Sequence, residues 1–434
     1  MNWSSGAADE EYTKSLAASP PDHIQIIELP RVDPPPADMR LKSVEAFIYE
    51  FIQRYISPVR DAIRDIVSQR QKSLSDDSTR IAGLVLDFFC SPMIDVASEF
   101  GLPSYIYLTS NASFLAFMFY LVTRHTHTPS ELEMSDSEEL IPGFVNPVPR
   151  RVLPLASFNK NGGYYGYLKV AQRFKDAKGI MVNTFEEIEG YTLNCLISKG
   201  QNYPPIYPVG PVIDFNGPAS PELDMAQRDK MMKWLDGQPE SSVVFLCFGS
   251  KGSYGASQVK EIALGLEQSG FRFLWSLRTL PPFDDQNPEE MLPEGFLERI
   301  QGKGMICGWA PQLEILGHKA IGGFVSHCGW NSILESLWYG VPIVTWPMYA
   351  EQQLNAFMMK ELGLAVVMRL DYWRGQSEDV KADEIEKAVG LVMDGGSEVR
   401  KKVKEMSEMA RKAIVEGGSS FNTLGKLLED IIGN

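Results

Sequence analysis

Short runs that are apolar from end to end constrain this chain more than any other feature. VVFLCF (243–248) has no polar alternation, and GLVLDFF (83–89) is broken only by Asp87. A strand with one solvated face alternates apolar and polar residues. A continuous run suits a strand buried on both faces of a parallel sheet. Longer patterns with helical periodicity lie between such runs. In the first half, strands are expected at 24–29, 82–89, 104–108 and 179–182, with helices at 44–70, 93–100, 112–124 and 164–177. In the second half, strands are expected at 242–248, 272–276, 304–308, 323–326, 342–345 and 365–369. Helices follow at 257–268, 313–316, 331–339, 351–362, 382–393 and 398–415. This alternation predicts α/β architecture with doubly wound sheets.

At 434 residues the chain exceeds what one core supports. Two strand-helix sets in succession imply two Rossmann-like domains facing across a cleft. Residues 1–210 form the first and 239–418 the second. Residues 211–238 are the expected linker, opening PVIDFNGPASPELD, a composition that breaks regular structure. Residues 419–434 are expected to form a helix that returns to the first domain. Segments 134–149 and 279–293 read as loops, the second a mobile one.

The net charge of -15 argues against nucleic acid as a partner. It also opposes an anionic nucleotide, so a diphosphate site would need local donors. The five cysteines, Cys90, Cys195, Cys247, Cys307 and Cys328, are scattered. They read as buried thiols in a reducing compartment, with no metal-ligand spacing. The N-terminus has no secretory pattern, and the most apolar stretch, 114–122, is too short to span a bilayer. A cytoplasmic monomer with no membrane span is expected.

The candidate chemistry lies in residues 309–352, WAPQLEILGHKAIGGFVSHCGWNSILESLWYGVPIVTWPMYAEQ. GGFVSH reads as a buried strand and HCGWNS as the turn at its carboxyl end. A helix then starts at Asn331 or Ser332, and Gly340 ends it. A helix N-terminus at the carboxyl edge of a parallel strand is an anion site. His327, Asn331 and Ser332 sit there, and Gly329 permits close backbone approach. A second turn places Glu351 and Gln352, a carboxylate and an amide that can grip vicinal sugar hydroxyls. Trp309, just before Ala310-Pro311, can present its ring to a planar base. Taken singly, each residue has a plainer reading. His327 would be a structural histidine, Glu351 a charge at a helix start, Glu335 a solvated face, and Trp330, Trp338 and Trp346 core.

In its length, order and spacing, this segment resembles the signature box of the plant family 1 UDP-glycosyltransferases. VVFLCFGS outside the box also resembles that family. The resemblance runs from about Tyr12 to the C-terminus, with the phenolic, flavonoid and triterpenoid glucosyltransferases as the nearest subgroup. It implies a GT-B fold with UDP-glucose as donor substrate and no further cofactor. Trp309 is then expected to stack on uracil, with Gln312 near the base and ribose. Ser250, His327, Asn331 and Ser332 would contact the diphosphate, and Glu335 the ribose. Trp330, Glu351 and Gln352 would address the sugar, while Trp338 and Trp346 remain core. Thr109 resembles a hydroxyl that touches the donor; its plainer reading is a helix cap, by itself or by Ser110. Asp87 resembles the aspartate that orients the catalytic histidine; its plainer reading is a capping carboxylate. Helix residues 114–120 and segment 158–167 are candidates for acceptor contact, with core packing the more ordinary role.

The same resemblance implies a strand, a PxxGH loop and a helix ahead of residue 24, with the loop histidine as general base. No such loop is found here. His23, His125, His127, His318 and His327 do not match it. The first domain is therefore expected to lack its first strand, first helix and second strand. The function expected is UDP-glucose-dependent O-glucosylation of small hydroxylated aromatics or terpenoids. The alternative is a UDP-sugar-binding product with impaired catalysis.

Overall fold

The computed structural model describes residues 23–72, 80–198, 203–215, 223–280 and 287–433. The chain divides into two units, residues 1–150, 155–212 and 412–434 in the first, and 151–154 and 213–411 in the second.

In the first unit, helices α1 (Ala37–Lys42), α2 (Val44–Arg54) and α3 (Ile56–Lys72) precede the sheet. The single helix expected over 44–70 is broken at Tyr55. Pro58 explains the break, because it has no N–H to donate to the carbonyl of Arg54 four residues earlier. The sheet consists of β1 (Leu84–Asp87), β2 (Ser104–Leu108), β3 (Gly179–Val182) and β4 (Ile206–Pro208). All are parallel, in the order β1-β2-β3-β4. Helices α4 (Met93–Glu99), α5 (Ala112–His127), α6 (Gly163–Arg173) and α7 (Glu186–Ile197) connect them.

Two expectations fail at the edge of this sheet. Residues 24–29 belong to no strand or helix, and Ile24, Ile26 and Ile27 are exposed. The run 82–89 is a strand only over Leu84–Asp87, after which Phe88–Cys90 turn as a 3-10 helix. As the edge strand, β1 leaves Val85 58% exposed. An apolar run specifies a buried strand only where a neighbour supplies its ladder.

The second unit begins with α8 (Met225–Asp236), which occupies part of the expected linker. Asp224 caps it by accepting from the Ala226 N–H at 2.9 Å. Six parallel strands follow: β5 (Val243–Cys247), β6 (Arg272–Ser276), β7 (Gly304–Cys307), β8 (Ile321–Ser326), β9 (Ile343–Thr345) and β10 (Ala365–Val367). Their order is β10-β9-β8-β5-β6-β7. Helices α9 (Ala256–Ser269), α10 (Phe296–Arg299), α11 (Gln312–Leu316), α12 (Trp330–Trp338), α13 (Gln352–Glu361), α14 (Ala382–Met393) and α15 (Glu398–Ala413) complete it. Every residue of β5 and β8 is buried, which is why those runs carry no alternation. The loop expected at 279–293 contains a short 3-10 turn, Pro288–Met291, and 281–286 lie outside the described residues.

The last helix, α16 (Ser419–Ile432), packs on β4 of the first unit. Leu427 joins Tyr105, Met181 and Tyr207 in one cluster. The Asp430 carbonyl accepts from Lys178 Nζ at 2.9 Å and from the Tyr105 hydroxyl at 3.2 Å. Among the described residues, no helix is long and apolar enough to cross a membrane.

Candidate donor site

Strand order reverses where β8 meets β5, and the loops at the carboxyl ends of those two strands form the crevice of the sheet. One loop is residues 248–255 after β5, and the other is 327–329 after β8. They converge on His327. A Cβ placed on Gly249 would stand 2.6 Å from His327 Nε2, and one on Gly329 2.5 Å. Gly249 also has a left-handed φ of +72°. Glycine is therefore required at both positions, one for space and the other for space and backbone.

His327 is buried, and its Nδ1 has no hydrogen bond of normal geometry. Burial lowers its pKa to about 4, against the opposing influence of the Cys247 backbone. The ring is neutral at pH 7, so anything it offers a phosphate is an N–H dipole.

Helix α12 begins here, with Gly329 as its N-cap and no side-chain cap bond. The start expected at Asn331 or Ser332 lies one or two residues late, since the helix begins at Trp330, and both residues fall in the first turn. Its end is as expected, with Gly340 in the left-handed region at φ +70°. The first-turn N–H groups make an anion site at the switch point. Ser250 is exposed in the facing loop, and Asn331 is exposed on the helix.

Three expected residues meet one turn further along. Gln312, the first residue of α11, donates through Nε2 to Ser332 Oγ at 2.9 Å and to Glu335 Oε2 at 2.7 Å. Burial raises the pKa of Glu335, and the Gln312 bond works against that shift. Trp309 is half-buried beside them, with the Arg278 guanidinium 4.4 Å from its ring centroid.

The second turn, after β9, is built differently from the expectation. Gln352 is 4% exposed, and its Oε1 accepts from the Met348 N–H at 2.9 Å and the Tyr349 N–H at 3.1 Å. Its carbonyl oxygen is thus spent on the turn, and Nε2 is the group it can offer. Glu351 is the half-buried N-cap position of α13. Trp330 is 3% exposed, so its ring is core and its backbone is what faces the turn. Trp346 is core, packed edge-on to Phe248 at 5.3 Å. Trp338, expected as core, is only half-buried, with Phe215 against its ring.

Sequence reasoning missed several residues of this site. Cys328 and Ala350, one in each turn, are non-glycine residues at positive φ, +60° and +56°. Such conformations cost energy and gather at functional turns. Asn355, buried on α13, donates to the Cys328 carbonyl at 3.0 Å and ties the two turns together. Asparagine within a helical pattern carries no local sign of this.

In the first unit, Asp87 accepts from the Phe89 N–H at 2.9 Å, the capping role that was its plainer reading. It is exposed by area yet crowded by apolar neighbours, and that desolvation raises its pKa. Thr109 is exposed, but neither it nor Ser110 caps α5; Asn111 does, accepting from the Phe114 N–H at 2.7 Å. Of the candidate acceptor residues 114–120, those at 114–119 are core and Tyr120 is half-buried. His125 Nδ1 pairs with the Tyr164 hydroxyl at 3.1 Å, and His127 Nδ1 lies 3.0 Å from the Thr123 carbonyl. In the second unit His318 pairs with Asp236 at 3.3 Å. Among the described residues no group of three or more His, Cys, Asp or Glu is placed to hold a metal ion.

A doubly wound parallel sheet with two glycine turns and a helix start that has no side-chain cap at its switch point defines a nucleotide-binding α/β unit. Residues 183–413 match the family model "UDP-glucoronosyl and UDP-glucosyl transferase". UDP-glycosyltransferase 71K1 of Malus domestica is 57% identical over 431 residues, 97% of this chain and 89% of that protein. The flavonol 3-O-glucosyltransferase UGT71C4 of Arabidopsis thaliana is 51% identical over 425 residues, 97% of this chain and 88% of its own length. The crystal structure of Medicago truncatula UGT71G1 complexed with UDP-glucose is similar with a TM-score of 0.89 and 52% identity, covering 100% of this chain and 89% of that one. The chain belongs to the plant family 1 UDP-glycosyltransferases, and its fold is GT-B.

Proposed function

We propose that this glycosyltransferase moves glucose from UDP-glucose to a hydroxyl of a small aromatic or terpenoid acceptor, inverting the anomeric carbon in one displacement. The observation that carries this reading is the convergence of both glycine turns on His327, beside the Gln312–Ser332–Glu335 network. Uracil stacks on Trp309, and Glu335 accepts from the ribose hydroxyls. The diphosphate lies against Ser250, His327 and the first turn of α12. Glu351 and the Gln352 amide address the glucose. The acceptor hydroxyl gives its proton to solvent, its oxygen attacks the anomeric carbon, the bond to the β-phosphate oxygen breaks, and UDP leaves. The helix N-terminus and the His327 N–H dipole stabilise the charge that develops on the phosphate. The similar proteins described as flavonol 3-O-glucosyltransferases support a flavonol as acceptor.

A second reading is a donor-binding protein with impaired turnover. It is favoured by Asp87, whose carboxylate holds the Phe89 N–H, and by the other partners that His125, His127 and His318 have. Loss of general-base catalysis costs roughly 10²–10⁴-fold. One experiment separates the two. UDP-glucose is offered with a flavonol and, separately, with p-nitrophenol, which is ionised at pH 8 and needs no base. Flavonol glucoside formed as readily as the nitrophenyl glucoside supports the first reading. Product from p-nitrophenol alone supports the second. No thermal stabilisation by UDP would refute both.

A further inference from the structure

The loop 248–255 is held by two guanidinium groups that the donor-site reading leaves without a role. Arg278, just beyond β6, donates through Nη1 to the Ser250 carbonyl at 3.2 Å. Arg374, beyond β10, donates through Nη1 to the next carbonyl, Lys251, at 2.6 Å and to Ser253 Oγ at 3.4 Å. Each guanidinium also lies over an aromatic ring. Arg278 Cζ is 4.4 Å from the centroid of Trp309, and Arg374 Cζ is 5.8 Å from that of Tyr349. Successive carbonyls of one loop are therefore tied to two walls of the site, the expected base wall at Trp309 and the turn that carries Glu351 and Gln352.

The loop needs such ties. Gly249 is left-handed, and a Cβ on Gly252 would stand 2.1 Å from the Phe248 carbonyl oxygen. A glycine-rich backbone loses the most freedom when it is fixed. An external brace that fixes it before the ligand arrives lowers the cost of binding. A guanidinium suits this task, because its planar fork donates to a carbonyl while its face stacks on a ring.

We infer that Arg278 and Arg374 are positioning residues of the donor site with separate duties. Arg278 sets Trp309 against the phosphate loop and so governs the nucleotide. Arg374 sets the Tyr349 turn against the same loop and so governs the sugar. This inference rests on the donor-site reading.

The test is calorimetric titration of the full chain with UDP and with UDP-glucose. Arg278→Met weakens both ligands by about tenfold and by the same factor, since both carry the uridine. Arg374→Met weakens UDP-glucose by about fivefold or more and leaves UDP within about twofold. Lysine at either position restores little, because it keeps the charge and loses the fork and the stacking plane. Wild-type affinities in either methionine variant overturn the inference. So does an unchanged ratio of UDP to UDP-glucose affinity in Arg374→Met, which would mark general damage to the loop, or full rescue by lysine. If Arg374→Met does not fold, Tyr349→Leu carries the same ratio test. Wild-type protein that binds neither ligand refutes the donor-site reading itself. Wild-type binding with an unmoved ratio refutes only the roles of the arginines.

Discussion

Gln312 donates to Glu335 across 2.7 Å, linking the first residue of α11 to the middle of α12. The carboxylate is desolvated, and this bond is what opposes the resulting rise in its pKa. Gln312→Ala leaves a crowded carboxylate without its donor, an expected loss of about 1–3 kcal/mol at pH 7. The raised pKa means that Glu335 favours folding while protonated, below its ordinary range, and ceases to as pH rises through its folded value. The variant should therefore come closer to wild type at low pH. Urea unfolding at pH 7 and pH 4.5 checks this. A deficit that does not shrink in acid would show that the charge is not the cause.

His327 predicts the opposite pH dependence. Its folded pKa is lowered to about 4 from an ordinary 6.5, so its contribution is present above 6.5 and is lost as pH falls toward 4. The shift corresponds to about 3 kcal/mol. Carboxylates also begin to titrate in that window, so the difference between wild type and His327→Gln is the quantity to measure. The variant should lose less stability between pH 6.5 and 4 than wild type does. Parallel acid limbs in the two proteins would exclude a buried neutral imidazole.

The glycines that flank His327 test the packing directly. Gly329 has an ordinary φ of -61°, so Gly329→Ala is a purely steric change against a ring 2.5 Å from the new Cβ. It should cost about 1–3 kcal/mol and weaken UDP binding. His327→Ala removes the obstacle, so the double variant should be more stable than the two single losses added together. Simple additivity, measured by urea unfolding of all four proteins, would show that the two groups do not collide.

These residues show which parts of the site can be read along the chain. The turn at 327–329 was legible because a buried strand, a glycine and a helix start follow one another within a few residues. Gln312, Ser332 and Glu335 stand out through the resemblance of the 309–352 segment to the family's signature box, and the structure brings them into one network. Arg278, Arg374 and Asn355 were not. Each comes from a different strand connection, and their contacts exist only once the sheet has formed. Residues 24–29 show the converse. Their β-branched composition suggested a strand, but pairing is a property of neighbours and the run has no ladder here. Pro58 is the sequence signal for the helix break at Tyr55, and the apolar periodicity on either side of it masks that signal.

A buried carboxylate in the first unit gives the sharpest stability prediction. Glu189, 3% exposed, lies at a non-helical kink within α7. Its Oε2 accepts from the Ala112 N–H at 2.8 Å, and its Oε1 from the Ser113 N–H at 2.8 Å and the Ser113 hydroxyl at 2.6 Å. With Asn111 holding the Phe114 N–H, the first three amides of α5 are satisfied by side chains. Burial raises the pKa of Glu189, and the bonds from Ser113 and the Ala112 N–H oppose the shift. Glu189→Leu keeps the volume but strands two buried N–H groups and a hydroxyl, and should cost about 3 kcal/mol or more. Glu189→Gln keeps an acceptor and should cost clearly less. Because α5 belongs to the first unit, the loss should appear in unfolding probed there, by exchange of the α5 amides. UDP binding by the second unit should hold at temperatures where α5 has opened. If Glu189→Leu is as stable as Glu189→Gln, the carboxylate is not what holds the start of α5.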